Sequence, residues 1–237
     1  MIEQLLTDPY AQTIRKESAK CMRFCIAACK LTPAPQKALF IMTYAKMMEE
    51  LETRRCREEF DQMNSIMKEI CKMLRVFDDF PKTEGTVFTV ADATTLITRL
   101  GQIANMIKED KVTRTKKVQA MAAHIDEEDM EFFKEDLEKI DKGLHHIMEI
   151  GGFLLRNMGA AISGPVEVTL LPLYAQPLLE ITKREDYELV DSACFLCDCM
   201  EHGSDDLYNR VAGQTGSKFV EMIHLHSKKA DVNYDII

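Results

Sequence analysis

The 237-residue chain is long enough for one large domain or two small ones, and 46% hydrophobic with 29% charged residues is the composition of a folded chain, not a disordered one. No tryptophan, 10 glycines and 7 prolines leave too little turn material for an all-β fold, while 15 methionines favour helix. Lys plus Arg total 30 against 39 for Asp plus Glu, a formal net charge of −9 that repels nucleic acid unless a local basic face outweighs it.

Helical periodicity runs from one end of the chain to the other. Asp8-Pro9 starts a segment over Tyr10 to Lys30, with Ile14, Cys21, Met22, Cys25, Ile26 and Cys29 along one apolar stripe. Thr32-Pro33-Ala34-Pro35 breaks it, and a second helix is predicted from Gln36 to Arg54. A third spans Arg57 to Phe77 through Phe60, Met63, Ile66, Met67, Ile70, Met73 and Leu74. Residues 78–89, with Pro81 and Gly85, form the clearest loop.

A long helix follows from Asp92 to His124, then another from Glu127 to Met158, which Gly151-Gly152 should interrupt. Ser163-Gly164-Pro165 opens a helix to Lys183 that Pro172 and Pro177 should kink. Helices over Tyr187 to His202 and Asp205 to His226 complete the set, and Lys229 to Ile237 reads as a weakly structured tail. No apolar run approaches the roughly 20 residues needed to cross a bilayer. Met1-Ile2-Glu3-Gln4 does not read as a signal peptide, so the eight cysteines are expected as reduced thiols.

Helices of this length with short breaks stack either as a bundle or as a solenoid of helix pairs. Ile14 to Met22 places an aliphatic residue, then Ser18 and Ala19, then Met22, and Leu189 to Cys197 repeats that grammar. The pattern resembles the first helix of HEAT repeats, with a period of roughly 40 residues. The expected fold is therefore all-α, an α-α superhelix of about four to five helix pairs spanning residues 1–237. Because neither end carries a polar cap, the chain is expected to be a piece of a longer superhelix.

The last third narrows this further. Leu170-Leu171-Pro172-Leu173-Tyr174, Pro177-Leu178-Leu179 and Cys194-Phe195-Leu196-Cys197-Asp198-Cys199-Met200-Glu201-His202 resemble a late repeat of the karyopherin-beta (importin-beta) family, in its importin-beta-three subgroup. There the helix reads aromatic-x-x-Cys-x-x-Asp-Asp-x-x-Glu-His. Cys194, Asp198, Glu201 and His202 match, Cys197 replaces the first Asp, and Asp191 stands at the aromatic position. An acidic stretch leading to Ile150-Gly151-Gly152-Phe153-Leu154-Leu155 falls in the family's order, and Ser18-Ala19-Lys20-Cys21-Met22 fits its opening repeat. The resemblance implies a nuclear transport receptor segment, not an enzyme and without cofactor. Its implied partners are basic cargo proteins bearing nuclear localisation signals, the GTPase Ran and phenylalanine-glycine nucleoporins, with shuttling between cytoplasm and nucleus. The competing expectation is a HEAT-type scaffold outside transport.

Asp126, Glu127, Glu128, Asp129, Glu131, Glu135, Asp136, Glu138 and Asp141 outnumber Lys134 and Lys139. They read either as a solvated helix start favoured by the dipole or as a patch for a basic partner. Asp126, Glu127, Glu128, Asp129 and Glu131, with Asp198 and Glu201, are the expected partner-binding residues. Lys108, Lys111, Arg114, Lys116 and Lys117 form a basic run, read as a solvated face or as a counterpart to that acidic stretch.

Cys194, Cys197, Cys199 and His202 invite a zinc reading, but an intact helix points Cys199 away from Cys194 and Cys197, so they are expected as packed structural thiols. Cys21, Cys25 and Cys29 are expected in the core. His145-His146 and His224-x-His226 are taken as surface or packing residues lacking a ligand partner at the right spacing, and no metal site is expected. Gly213 to Lys218 mimics part of a phosphate loop but lacks its spacing and a preceding strand.

Overall fold

A computed structural model describes residues 12–28, 38, 42, 60–78, 88–121, 127–179 and 187–227, and every regular element among them is helical. In chain order these are α1 (Gln12–Ala28), α2 (Phe60–Asp78), α3 (Val90–Met121), α4 (Glu127–Met158), a short 3-10 turn (Gly159–Ile162), α5 (Ser163–Thr169), α6 (Leu171–Leu179), α7 (Tyr187–His202) and α8 (Asp205–Ser227). The all-α expectation holds. Among the described residues no helix is long and apolar enough to cross a membrane. Most of the predicted helix over 36–54, the loop residues 79–87 and the tail 229–237 lie outside the described residues.

The helices divide into two units. The first holds α1, α2 and residues Met106–Ile150, and the second holds Val90–Asn105 and the chain from Gly151 onward. In the first unit α1 packs along α2, burying Met22 and Ile26 together with Ile66, Met67, Ile70, Met73 and Leu74. These sit at three- and four-residue spacings, which place them on one side of each helix. Glu69 is buried in that seam, with Arg23 Nε 3.2 Å from Oε2 and Lys72 Nζ 2.6 Å from Oε1, so both carboxylate oxygens face a cation. A buried carboxylate without such partners would be costly. Cys21 departs from expectation: it is exposed and Cys25 is half-buried. The stripe that faces α2 runs through Ser18, Met22 and Ile26, and Cys21 stands to its side.

Alongside α2, α4 runs parallel. Asn64 Nδ2 donates to the Lys139 carbonyl (2.8 Å), Cys71 Sγ lies 3.7 Å from the His146 carbonyl, and Arg75 Nη2 reaches Glu149 Oε1 (2.8 Å). Both members of each pair advance together along the sequence, which only parallel axes allow. Lys111 with Asp141 and Arg114 with Asp136 run in opposite order, so α3 is antiparallel to α4.

The second unit repeats the parallel arrangement between the end of α4 and α7. Gly151 faces Phe195, Gly152 faces Asp198, and Gly159 faces the His202 carbonyl. Gly151 and Gly152 do not interrupt α4, contrary to expectation. A Cβ on Gly151 would lie 2.9 Å from Leu170 Cδ1 and 3.1 Å from Phe195 Cε2, so glycine serves close helix approach here. The break falls at Gly159, whose φ of +57° favours glycine.

The predicted helix from Ser163 to Lys183 is likewise two helices, parted at Leu170 rather than kinked at the prolines. Pro172 falls in the first turn of α6, where its missing N–H is no loss, and Pro177 stays within the helix. Tyr174 and Phe195 pack ring on ring at 4.9 Å between centroids. Ser163 Oγ accepts from the Ser204 amide (2.8 Å), and Ser204 Oγ in turn accepts from Leu207 N (3.2 Å), capping α8.

Candidate functional site

Among the described residues two places carry chemistry beyond packing, and both involve α4. The first is its acidic N-terminal half. The stretch splits by helix face. Asp136 and Asp141 turn toward α3 and pair with Arg114 and Lys111, each at 2.8 Å. The basic run is therefore partly a counterpart to the acidic stretch, while Lys116 and Lys117 stay exposed. Glu128, Asp129, Glu131, Glu135 and Glu138 are exposed, and Phe132, four residues after Glu128 and three before Glu135, is 61% exposed among them. Helical spacing sets Glu128, Glu131, Phe132 and Glu135 side by side, an apolar ring flanked by carboxylates. Asp126 lies outside the described residues, and Glu127 opens α4 with no described side chain.

The other two expected residues are on α7 and differ from each other. The Asp198 side chain is only 18% exposed, and its Oδ2 accepts from Arg156 Nη1 at 2.8 Å. Glu201 is 75% exposed. α4 and α7 thus spend Asp198 on holding the helices together and leave Glu201 at the surface.

The second place is where α2 meets α4 at Cys71, His146 and Glu149. One ligand-capable atom from each lies within 4.8 Å of the others. His146 Nδ1 is 3.1 Å from Glu149 Oε2, Arg75 holds Oε1, and His145 Nε2 is 3.9 Å from Oε2. The hydrogen bond from His146, helped by His145 and Arg75, outweighs partial burial and lowers Glu149 to about 2. Burial first, then the neighbouring Glu149 carboxylate, pushes the Cys71 thiol far up. A thiol held protonated, and directed at a backbone carbonyl rather than at the imidazole, is not an activated nucleophile. The three side chains bring sulfur, nitrogen and oxygen donors to one place.

This corrects the reading of His145-His146 as lacking a partner. Glu149 stands three residues after His146 and four after His145, a spacing visible in the sequence. Cys71 is 75 residues from His146, and only the parallel packing of α2 on α4 brings them together.

The remaining motifs resolve as packing or surface. The α7 helix is unbroken over Tyr187–His202, so Cys199 is buried while Cys194 and Cys197 are exposed. They form no closed site, and the two exposed thiols are not the packed residues expected. Burial and neighbouring acids raise all three, Cys199 to about 12. Gly213 to Lys218 lies inside α8 and forms no loop. His224 and His226 have no described side chains. No protein-family model matches the chain, and no curated protein matches it.

Proposed function

We propose that this chain is a helical-repeat segment of a nuclear transport receptor of the karyopherin-beta type, acting by binding alone. What supports the reading most is the repeated parallel stacking within each unit, α2 beside α4 in one and the end of α4 beside α7 in the other. Solenoids of helix pairs stack equivalent helices in parallel in this way. In the second unit Arg156 and Asp198 are 42 residues apart and Ser163 and Ser204 41 apart, close to the HEAT period of roughly 40, whereas the α2–α4 contacts of the first unit are 74 and 75 apart, nearly twice that period. A superhelix whose repeats touch only their neighbours flexes by summing small rotations, which lets one receptor wrap different cargoes. Ran in its GTP form and cargo would then bias different curvatures as linked equilibria.

The partner surface in this reading is the outward face of α4, with Glu128, Asp129 and Glu131 for the basic residues of a nuclear localisation signal and Phe132 for its aliphatic stems. Phenylalanine-glycine nucleoporins and Ran complete the proposed partners, and the protein would shuttle between cytoplasm and nucleus. The test is a titration of a fluorescent Lys/Arg-rich localisation peptide against the native chain and a Glu128→Gln/Glu131→Gln/Glu135→Gln variant at low salt. The proposal expects binding that weakens at least about tenfold in the variant and falls with added salt. Equal affinity of the two would remove the acidic face from the mechanism. Retained peptide binding with no affinity for phenylalanine-glycine repeats would favour the scaffold outside transport.

A further inference from the structure

We propose that Cys71, His146 and Glu149 bind a single transition-metal dication of the zinc class and so fasten α2 to α4. The donor set is a thiolate sulfur, an imidazole nitrogen and a carboxylate oxygen, the mixture that zinc accepts and that magnesium or calcium does not. Tetrahedral zinc with its usual bond lengths separates such donors by about 3.4–3.6 Å. Here the three fall within 4.8 Å, and the His146–Glu149 pair is already at 3.1 Å, so small side-chain adjustments, on the order of an ångström, bring the set to coordination spacing. The three come from two helices whose register is fixed independently by Asn64 on the Lys139 carbonyl.

The surroundings orient the ligands. Arg75 holds Glu149 Oε1, which leaves Oε2 turned toward His146. Such outer contacts fix a carboxylate for coordination. On binding, the metal replaces the thiol proton of Cys71, which leaves to solvent. The proton between His146 and Glu149 moves to Nε2, so that Nδ1 presents its lone pair. Thiolate and carboxylate together neutralise the dication, and water takes the fourth position. A metal there joins elements 75 residues apart in sequence. Its binding free energy therefore adds to the stability of the helix pair.

The experiment is titration of the reduced, chelator-treated full chain with Co²⁺, followed by Zn²⁺. One equivalent of Co²⁺ should give a thiolate-to-metal charge-transfer band and tetrahedral ligand-field bands, and Zn²⁺ should abolish both while raising Tm. Cys71→Ser should lose the charge-transfer band, and Glu149→Gln should weaken binding by roughly tenfold or more. Cys194→Ser/Cys197→Ser, which removes the exposed thiols of α7, should leave the spectrum unchanged. His146→Gln, at a half-buried position, reads the same band if Cys71→Ser does not fold. No band at one equivalent would overturn the proposal. So would a band that survives Cys71→Ser or His146→Gln, or one that disappears with the α7 thiols.

Discussion

The two units hold their helices together with different proportions of polar and apolar contact. In the first, an apolar core that includes Ile70, Ile140, Leu144 and Ile147 is edged by polar and charged contacts, Asn64 and Arg75 of α2 to Lys139 and Glu149 of the parallel α4, and Lys111 and Arg114 of the antiparallel α3 to Asp141 and Asp136. In the second, the end of α4 meets α7 through glycine and aromatic contacts beside the single Arg156–Asp198 ion pair described there, with Phe195 fully buried against Gly151 and Tyr174. Polar seams leave their groups partly exposed and tunable by salt, pH or a bound ion. Close-packed seams respond steeply to volume and little to ionic strength. The surfaces proposed for partners and metal both fall in the first unit.

The largest effect should come from truncating the centre of the second unit. Phe195→Ala should cost about 3–5 kcal/mol in denaturant unfolding, as expected for a fully buried aromatic residue. A loss under 1 kcal/mol would mean the seam is not close-packed. Gly151→Ala should cost about 1–3 kcal/mol through overpacking, despite alanine's helix preference. Gly213→Ala, in α8 with nothing within 4 Å of the added methyl, should instead gain up to about 1 kcal/mol. Equal effects at the two glycines would contradict the close approach of α4 and α7.

Opposite pH limbs sharpen the contrast. Cys199, raised to about 12, keeps its proton in the folded state after the unfolded thiol has lost it. Stability should therefore fall between about pH 9 and 12, by at most about 1.4 kcal/mol per pH unit, with Cys71 adding to the same limb. Cys199→Ala should flatten this slope in urea titrations. Glu149, lowered to about 2, contributes stability that is present above the unfolded carboxyl value of about 4.3 and is lost as pH falls through 2. Glu149→Gln should remove that acid limb. The smallest effect belongs to the half-buried ion pairs: Arg114→Ala should cost under about 1 kcal/mol, and 1 M salt should erase most of the difference from the native chain.

How legible these features were depends on whether their cause is local. The ends of α7 and the start of α4 follow from periodicity and capping, which the sequence carries by itself. Gly151-Gly152 misled because helix propensity reports the isolated helix, while the neighbours Leu170 and Phe195 decide whether a side chain fits. On α7, helical spacing alone parts Cys199 from Cys194 and Cys197, as the unbroken helix does, but it does not reveal that the latter two are exposed. At the α2–α4 seam, His146 and Glu149 were readable as a three-residue pair, but Cys71 joins them only through tertiary register. Cys21 fell outside the core because Ser18, Met22 and Ile26 already complete the stripe that faces α2.

The karyopherin-beta-type function proposed above requires a chain extended enough to wrap a partner. Small-angle X-ray scattering of the monomer in solution tests it most directly. A closed, compact chain of this length has a radius of gyration of about 18 Å. The proposed receptor segment should give a value clearly above that, with an elongated pair-distance distribution. A value at about 18 Å with a symmetric distribution would contradict it.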